Sequence, residues 1–293
     1  MIIELKNNHM EADISTTGAE LKSLRKTNDI CNVEYLWQLN PQIWERQAPL
    51  LFPLIGRLKD GEYTYEGKTY KTEIHGFARF REFAVINREE ASVTLETTSD
   101  EDTKKEYPFD FILRITYRLD GNGLVKEHSV ENTGNTPMYY EIGGHEGYNL
   151  ALFEGESMED YYIEFPDTDH LMTYVTDSDV MIEKDKVKVS LEEGRLYLSP
   201  EVFKDDALIM DNFSKRTVYL CNTRNDRRVT VEFNDFKYLG IWTKYMRGNY
   251  VCIEPWSSLP DCNYLGKELT AKKDIRMLEA GAMEKLAYTM KID

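Results

Sequence analysis

The residues of this chain best suited by type and setting to move protons are a histidine in a glycine-rich stretch and a glutamate beside a tryptophan. His145 stands in Gly143-Gly144-His145-Glu146-Gly147-Tyr148-Asn149, directly after the strand-like Met138 to Ile142. Three glycines this close together are costly to order, so the stretch marks a bend or a backbone held against a ligand. Glu254 closes the apolar run Val251-Cys252-Ile253 and precedes Pro255-Trp256. A carboxylate at a strand end, fixed by proline, suits a sugar pocket, because the indole offers a flat apolar face to C–H groups. An imidazole and a carboxylate make a general acid–base pair. Each residue also has a plain structural explanation: a hydrogen-bonded histidine at a bend, and a charge at the end of a strand.

The other candidates are weaker taken singly. His75 opens His75-Gly76-Phe77-Ala78-Arg79, where glycine lets backbone approach a ligand and the planar fork of Arg79 suits a hydroxyl, carboxylate or phosphate. Arg57 in Leu54-Ile55-Gly56-Arg57, and the pair Asp205-Asp206 before Ala207-Leu208, say little alone. His9 in a polar turn, His128 in strand-like surroundings and His170 in a loop have no neighbour that chemistry demands. Cys31, Cys221, Cys252 and Cys262 form no CxxC pair and have no zinc-like histidine spacing, so they are expected to be reduced thiols, with no metal.

Positioning these groups falls to a β-rich scaffold. Of the 293 residues, 41% are hydrophobic and 12% aromatic, enough for a sizeable core. Period-2 alternation dominates. It is clearest from Phe109 to Leu119, which ends in the turn Asp120-Gly121-Asn122-Gly123 and returns as Leu124 to Glu131. Glu62–Tyr65 with Lys68–Tyr70, and Phe83–Asn87 with Ser92–Thr97, read as hairpins. Thr217–Cys221, Arg228–Phe233, Tyr238–Thr243 and Tyr250–Ile253 read as further strands. Helical periodicity is confined to Pro41–Gln47 and Met158–Tyr162. No repeat or linker divides the chain, which predicts one all-β sandwich domain over residues 1–293.

A net charge of −16 with no lysine–arginine cluster argues against nucleic acid, and requires a local arrangement of arginine for any anionic substrate. No apolar run approaches a membrane span and the first residues lack a secretory pattern. A cytoplasmic protein without membrane or nucleic-acid partners, a monomer or weak dimer, is expected.

Taken together, the segments resemble the aldose 1-epimerase (galactose mutarotase) superfamily, most closely its LacX-like branch. The resemblance rests on Pro49-Leu50-Leu51-Phe52-Pro53-Leu54-Ile55-Gly56-Arg57, His75-Gly76-Phe77-Ala78-Arg79, Gly143-Gly144-His145, Asp205-Asp206-Ala207-Leu208 and Glu254-Pro255-Trp256, in the family's order over nearly the whole chain. It implies a large twisted antiparallel β-sandwich with the site in a cleft on one sheet, acting on a hexose, with or without a phosphate, and without cofactor. It further implies His145 as general acid, Glu254 as general base, and Arg57, His75, Arg79 and Asp206 as substrate-binding groups. Two departures stand out. Glu146-Gly147-Tyr148-Asn149 replaces the branch's Pro-Ala-Phe-Asn, and Ser257-Ser258 replaces a small glycine after Trp256.

Interconverting α and β anomers requires one group to take the C1 hydroxyl proton while another protonates the ring oxygen. Ordinary values leave glutamate ionised and histidine partly protonated near neutrality, and Glu146 is expected to raise His145 further. Three competitors use related parts. They are a hexose-6-phosphate 1-epimerase, which the His75–Arg79 segment also resembles, a non-catalytic sugar binder on the same fold, and a glycoside hydrolase. The last is disfavoured because it needs two carboxylates about 5–9.5 Å apart rather than a histidine–glutamate pair.

Overall fold

Alternating residues along the long hairpins bury one face each. In Phe111–Asp120 every second side chain is buried, and the strand pairs along its whole length with Gly123–Asn132. This pair lies within a nine-stranded antiparallel sheet ordered Arg195–Tyr197, Tyr161–Glu164, Thr217–Asn222, Arg228–Glu232, Met283–Ile292, Gly123–Asn132, Phe111–Asp120, Ser92–Thr98, Ala84–Arg88. A second sheet of six runs Glu146–Asn149, Tyr250–Trp256, Tyr238–Trp242, Leu208–Met210, His170–Thr176, Ile182–Ser190. The computed structural model describes all residues, Met1–Asp293.

The two sheets face each other across an apolar core of 62 buried residues drawn from Ile3 to Ile292. Glu146 of the smaller sheet crosses this core to reach Lys126 and Tyr288 of the larger one. A smaller cluster, including Leu51, Ile55, Tyr238, Trp256 and Leu259, packs loops against the outer face of the six-stranded sheet. The large antiparallel β-sandwich read from the sequence is the fold observed.

Four local expectations change. Pro41–Gln47 is turn and loop rather than helix, and Met158–Asp160 is a single 3₁₀ turn. His170 opens the strand His170–Thr176 instead of lying in a loop. Glu254 does not end its strand: Tyr250–Trp256 continues through Pro255, whose carbonyl accepts the Gly144 N–H at 3.1 Å. The proline reads as a stop in sequence, yet its missing N–H breaks no bond that this position needs.

Candidate active site

Strand parity decides what faces the cleft. Glu146 pairs with Ile253, so His145 stands opposite Glu254 and shares its face, away from the sandwich core. Trp242 pairs with Cys252 and Tyr238 with Trp256, which places Cys252, Trp242 and Trp256 on that same outer face. Residues about 110 apart in sequence thereby meet: His145 Nε2 lies 3.4 Å from Glu254 Oε2. Neither His145 Nδ1 nor Glu254 Oε2 has a hydrogen-bond partner. Both line a cleft of about 200 Å³, shared with Trp44, Trp242, Trp256, Arg57, His75, Arg79 and Asp206. All six residues singled out from sequence are therefore brought to one place.

Burial sets the resting charges. It lowers the His145 imidazole to about 3, assisted by the charge of Arg79. It pushes the Glu254 carboxyl well up, and the carboxylates of Glu146 and Asp206 add to this. The expectation of an ionised glutamate beside a partly protonated histidine is thus reversed in the open cleft, because desolvation disfavours both charged forms. Glu146 is also not the neighbour it was taken for. It points into the core on the opposite face, where Lys126 Nζ donates at 2.8 Å and Tyr288 Oη at 2.5 Å, and it bears on Glu254 rather than His145.

His75 and Gly76 both adopt left-handed backbone, φ 66° and 69°. A Cβ at position 76 would collide with the Phe52 carbonyl, so the glycine is needed for packing as well as for its turn. The Gly56 N–H donates to His75 Nδ1 at 3.1 Å, which fixes Nδ1 as acceptor and leaves Nε2–H as donor. Burial, then the neighbouring His145 ring and the positive charges of Arg79 and Arg57, disfavour protonation of this ring. Its ring lies edge-on to His145 at 5.3 Å. Of the adjacent aspartates Asp206 lines the cleft, in left-handed backbone at φ 79°, and Asp205 does not.

The glycines around His145 serve aromatic packing. A Cβ on Gly147 would stand 2.8 Å from the Trp44 ring, and one on Gly143 2.9 Å from Trp256. Trp44 stacks on His145 at 5.1 Å and on Tyr250 at 5.2 Å, and meets Trp242 edge-on. Trp44, Arg46 and Trp242 went unread in the sequence. The segment carrying the first two looked helical, and no spacing signal ties it to residues 145 or 254. Ser257 and Ser258 leave the cleft alone: the Ile142 N–H donates to Ser257 Oγ at 2.9 Å, and Ser258 Oγ donates to the Lys273 carbonyl at 3.0 Å. Cys252 completes a buried group with His145 and Glu254, their donor atoms all within 4.8 Å of one another. All four cysteines are free.

Beneath the Arg57 loop Lys272 is buried between two carboxylates, Asp261, to which it donates, and Glu141 at 3.4 Å. Glu141 Oε2 accepts the Ile55 N–H at 2.8 Å and Asp261 Oδ2 accepts that of Lys59 at 2.9 Å, so this ionic triad clamps residues 55–59. No helix is long and apolar enough to cross a membrane.

Comparison with known proteins agrees with this arrangement. The aldose 1-epimerase family profile matches residues 1–276. The chromosomally encoded protein LacX of Lactococcus lactis subsp. lactis is 30% identical over 301 aligned positions, covering 100% of this chain and 99% of that protein. Among solved structures, a galactose mutarotase related enzyme from Lactobacillus acidophilus superposes with a TM-score of 0.94 at 35% identity, over 100% of this chain and 97% of the other. A galactose mutarotase-like protein from Lactobacillus casei ATCC 334 gives 0.92 at 28% identity, over the whole of both chains. With the family profile spanning nearly the full length and relatives matching end to end, the chain belongs to the aldose 1-epimerase family, in its LacX-like branch.

Proposed function

We propose that the protein is an aldose 1-epimerase, interconverting the α and β anomers of a hexose by acid–base ring opening and closure. The observation that carries this is the His145–Glu254 pair, 3.4 Å apart on the floor of a tryptophan-lined cleft sized for one sugar ring. Glu254 takes the C1 hydroxyl proton, the electron pair on O1 forms the carbonyl, and the C1–O5 bond breaks as O5 takes a proton from His145. Rotation about C1–C2 presents the other aldehyde face, and reclosure reverses both transfers.

Ring opening needs a pair with one proton to give and one vacancy to fill. Neutral imidazole with neutral carboxyl, and imidazolium with carboxylate, hold the same protons and differ by one transfer over the short Nε2–Oε2 gap. Sugar hydroxyls donating to the carboxylate favour the second form when substrate binds. Trp44, Trp242 and Trp256 give the ring apolar faces, while His75 Nε2–H, Arg57, Arg79 and Asp206 supply polar contacts for its oxygens. Each positioned proton-transfer group contributes roughly 10²–10⁴ in rate.

Polarimetry of freshly dissolved α-glucose and α-galactose tests the assignment. The native protein should speed the approach to equilibrium, and Glu254→Gln should reduce kcat by roughly 10²–10⁴ with an unchanged far-UV spectrum. Equal rates for the two proteins would remove the catalytic role and leave a sugar-binding protein.

A further inference from the structure

We infer that the floor of the cleft is a zinc site, in which Cys252 joins His145 and Glu254 to hold Zn²⁺ and silence the acid–base pair. The binding of the metal stands by itself; the inhibition rests on the mutarotase reading of the same pair. Donor atoms of the three side chains all lie within 4.8 Å of one another, and all three residues are buried. Glu254 Oε2 and His145 Nδ1 have no hydrogen-bond partner, and Glu254 is only 1% exposed. Ring opening employs the histidine and the glutamate and leaves the thiol beside them without a task.

The backbone fixes this arrangement. Cys252 and Glu254 stand two residues apart on Tyr250–Trp256 and so share a face, with His145 opposite Glu254 on the adjoining strand. Zinc bonds of about 2.0–2.2 Å to nitrogen and oxygen and about 2.3 Å to sulfur give tetrahedral edges of roughly 3.4–3.6 Å between donors. His145 Nε2 and Glu254 Oε2 already stand 3.4 Å apart. The thiol closes the remaining distance, at most about 1 Å, by turning about χ1. Sequence spacing hides the set, because the histidine lies about 110 residues before the other two ligands.

The donors select the metal. Nitrogen, sulfur and oxygen together suit a borderline-soft cation, whereas Mg²⁺ and Ca²⁺ take oxygen shells. Zn²⁺ displaces one proton from the Cys252 thiol and one from the Glu254 carboxyl into solvent, and each donor gives a lone pair with no change of oxidation state. One dication with two anions is a neutral centre, which a dry pocket tolerates. Glu146 behind the sheet and Asp206 in front of it both bear on Glu254 and favour a cation there, while Arg79 beside His145 opposes it. With Nε2 and Oε2 both on the metal, neither can exchange a proton with a sugar. Metal and sugar therefore exclude each other.

Calorimetry of the untagged full-length protein, stripped with a chelator and titrated with Zn²⁺, should show one site, with no heat from Mg²⁺. Losing an outer-shell partner costs roughly 10–100-fold in metal affinity, so Cys252→Ala, which removes a ligand, should cost at least ~10²-fold. Cys31→Ala alters an exposed cysteine and should cost nothing. Co²⁺ should give a thiolate-to-metal charge-transfer band in the native protein and none in Cys252→Ala. Should Cys252→Ala misfold, the nearly isosteric Cys252→Ser takes its place. In polarimetry Zn²⁺ should raise KM for galactose with kcat unchanged, EDTA should reverse this, and Cys252→Ala, compared with its own metal-free rate, should need at least ~10²-fold more metal. No one-site binding, an affinity unmoved by the folded Cys252 variant, or an equal loss in Cys31→Ala would overturn the site. Zn²⁺ bound through Cys252 with KM unmoved would overturn the inhibition. If no sugar is anomerised, the mutarotase reading fails alone, and calorimetry with the Co²⁺ spectrum still decides the metal.

Discussion

Replacing Lys126 by methionine removes a cation while keeping most of the side-chain volume. Lys126 and Glu146 are both completely buried, and their charges meet at 2.8 Å across the sandwich. Tyr288 donates to the same Glu146 oxygen, and the Lys126 ammonium lies 5.6 and 5.7 Å from the Tyr117 and Tyr288 rings. Without the lysine, a carboxylate remains in a dry core with one hydroxyl for company. Breaking a buried pair from one side costs about 3–5 kcal/mol, whereas removing both charges is often neutral. Against a typical total of about 5–15 kcal/mol, Lys126→Met should therefore lose roughly a fifth or more of the folding free energy. Lys126→Met with Glu146→Leu should recover most of that loss. Urea titrations followed by tryptophan fluorescence and far-UV circular dichroism measure both variants. A cost below about 1 kcal/mol for the single variant, or a double variant as weak as the two singles summed, would refute the claim that the charges are mutually dependent. The same cycle reaches the active site, because Glu146 helps raise the Glu254 carboxyl from the opposite face of the sheet. Its removal should move the alkaline limb of kcat/KM to lower pH.

Three further outcomes follow from the geometry. With His145 lowered to about 3, kcat/KM for a neutral hexose should stay level from pH 7 down to 5, where an ordinary imidazole would already have been protonated; an acid limb near 6.5 would contradict this. Gly147→Ala drives a methyl to 2.8 Å from the Trp44 ring and should cost about 1–3 kcal/mol in urea unfolding while raising KM more than it lowers kcat. Burial lifts Glu141 to about 7, so its contribution to stability is full below about 4.5 and is lost as pH rises through 7; Glu141→Gln should flatten the fall in unfolding free energy between pH 5 and 8, by a few kcal/mol in order of magnitude.

The hairpins were legible because their signals are local. Glu62–Tyr65 and Lys68–Lys71 turn through Glu66 and Gly67, both at positive φ, where a glycine between alternating strands announces the reversal. Phe111–Asp120 and Gly123–Asn132 pair in register around Asp120-Gly121-Asn122-Gly123 for the same reason. Strand order carries no such mark. Nothing in Met283–Ile292 says that it lies between Arg228–Glu232 and Gly123–Asn132, because that neighbourhood is chosen by packing across the whole sandwich. The loop bearing Trp44 and Arg46 was misread as helical because seven residues of mixed polarity fit several periods, and only the contacts of Trp44 with His145 and Tyr250 fix its path.

Charge at the site was the least legible property, since a residue's type gives its ordinary ionisation and only the fold gives its solvent. His145 and Glu254 meet at 3.4 Å, yet burial disfavours the charged form of each, and Glu146, emerging on the opposite face, adds to the shift of Glu254 alone. One step of strand parity separates His145 in the cleft from Glu146 in the core, so adjacent residues belong to different networks. Glu254 then feels a carboxylate behind the sheet and Asp206 in front of it, while at His145 burial prevails although the Glu254 carboxyl lies 3.4 Å away. A resting pair without net charge suits a reaction that begins and ends with neutral hydroxyls, because the empty cleft need not sustain an ion pair in a dry environment. Charge separation then waits for a sugar to provide the hydrogen bonds that stabilise it, which ties proton movement to occupancy of the site.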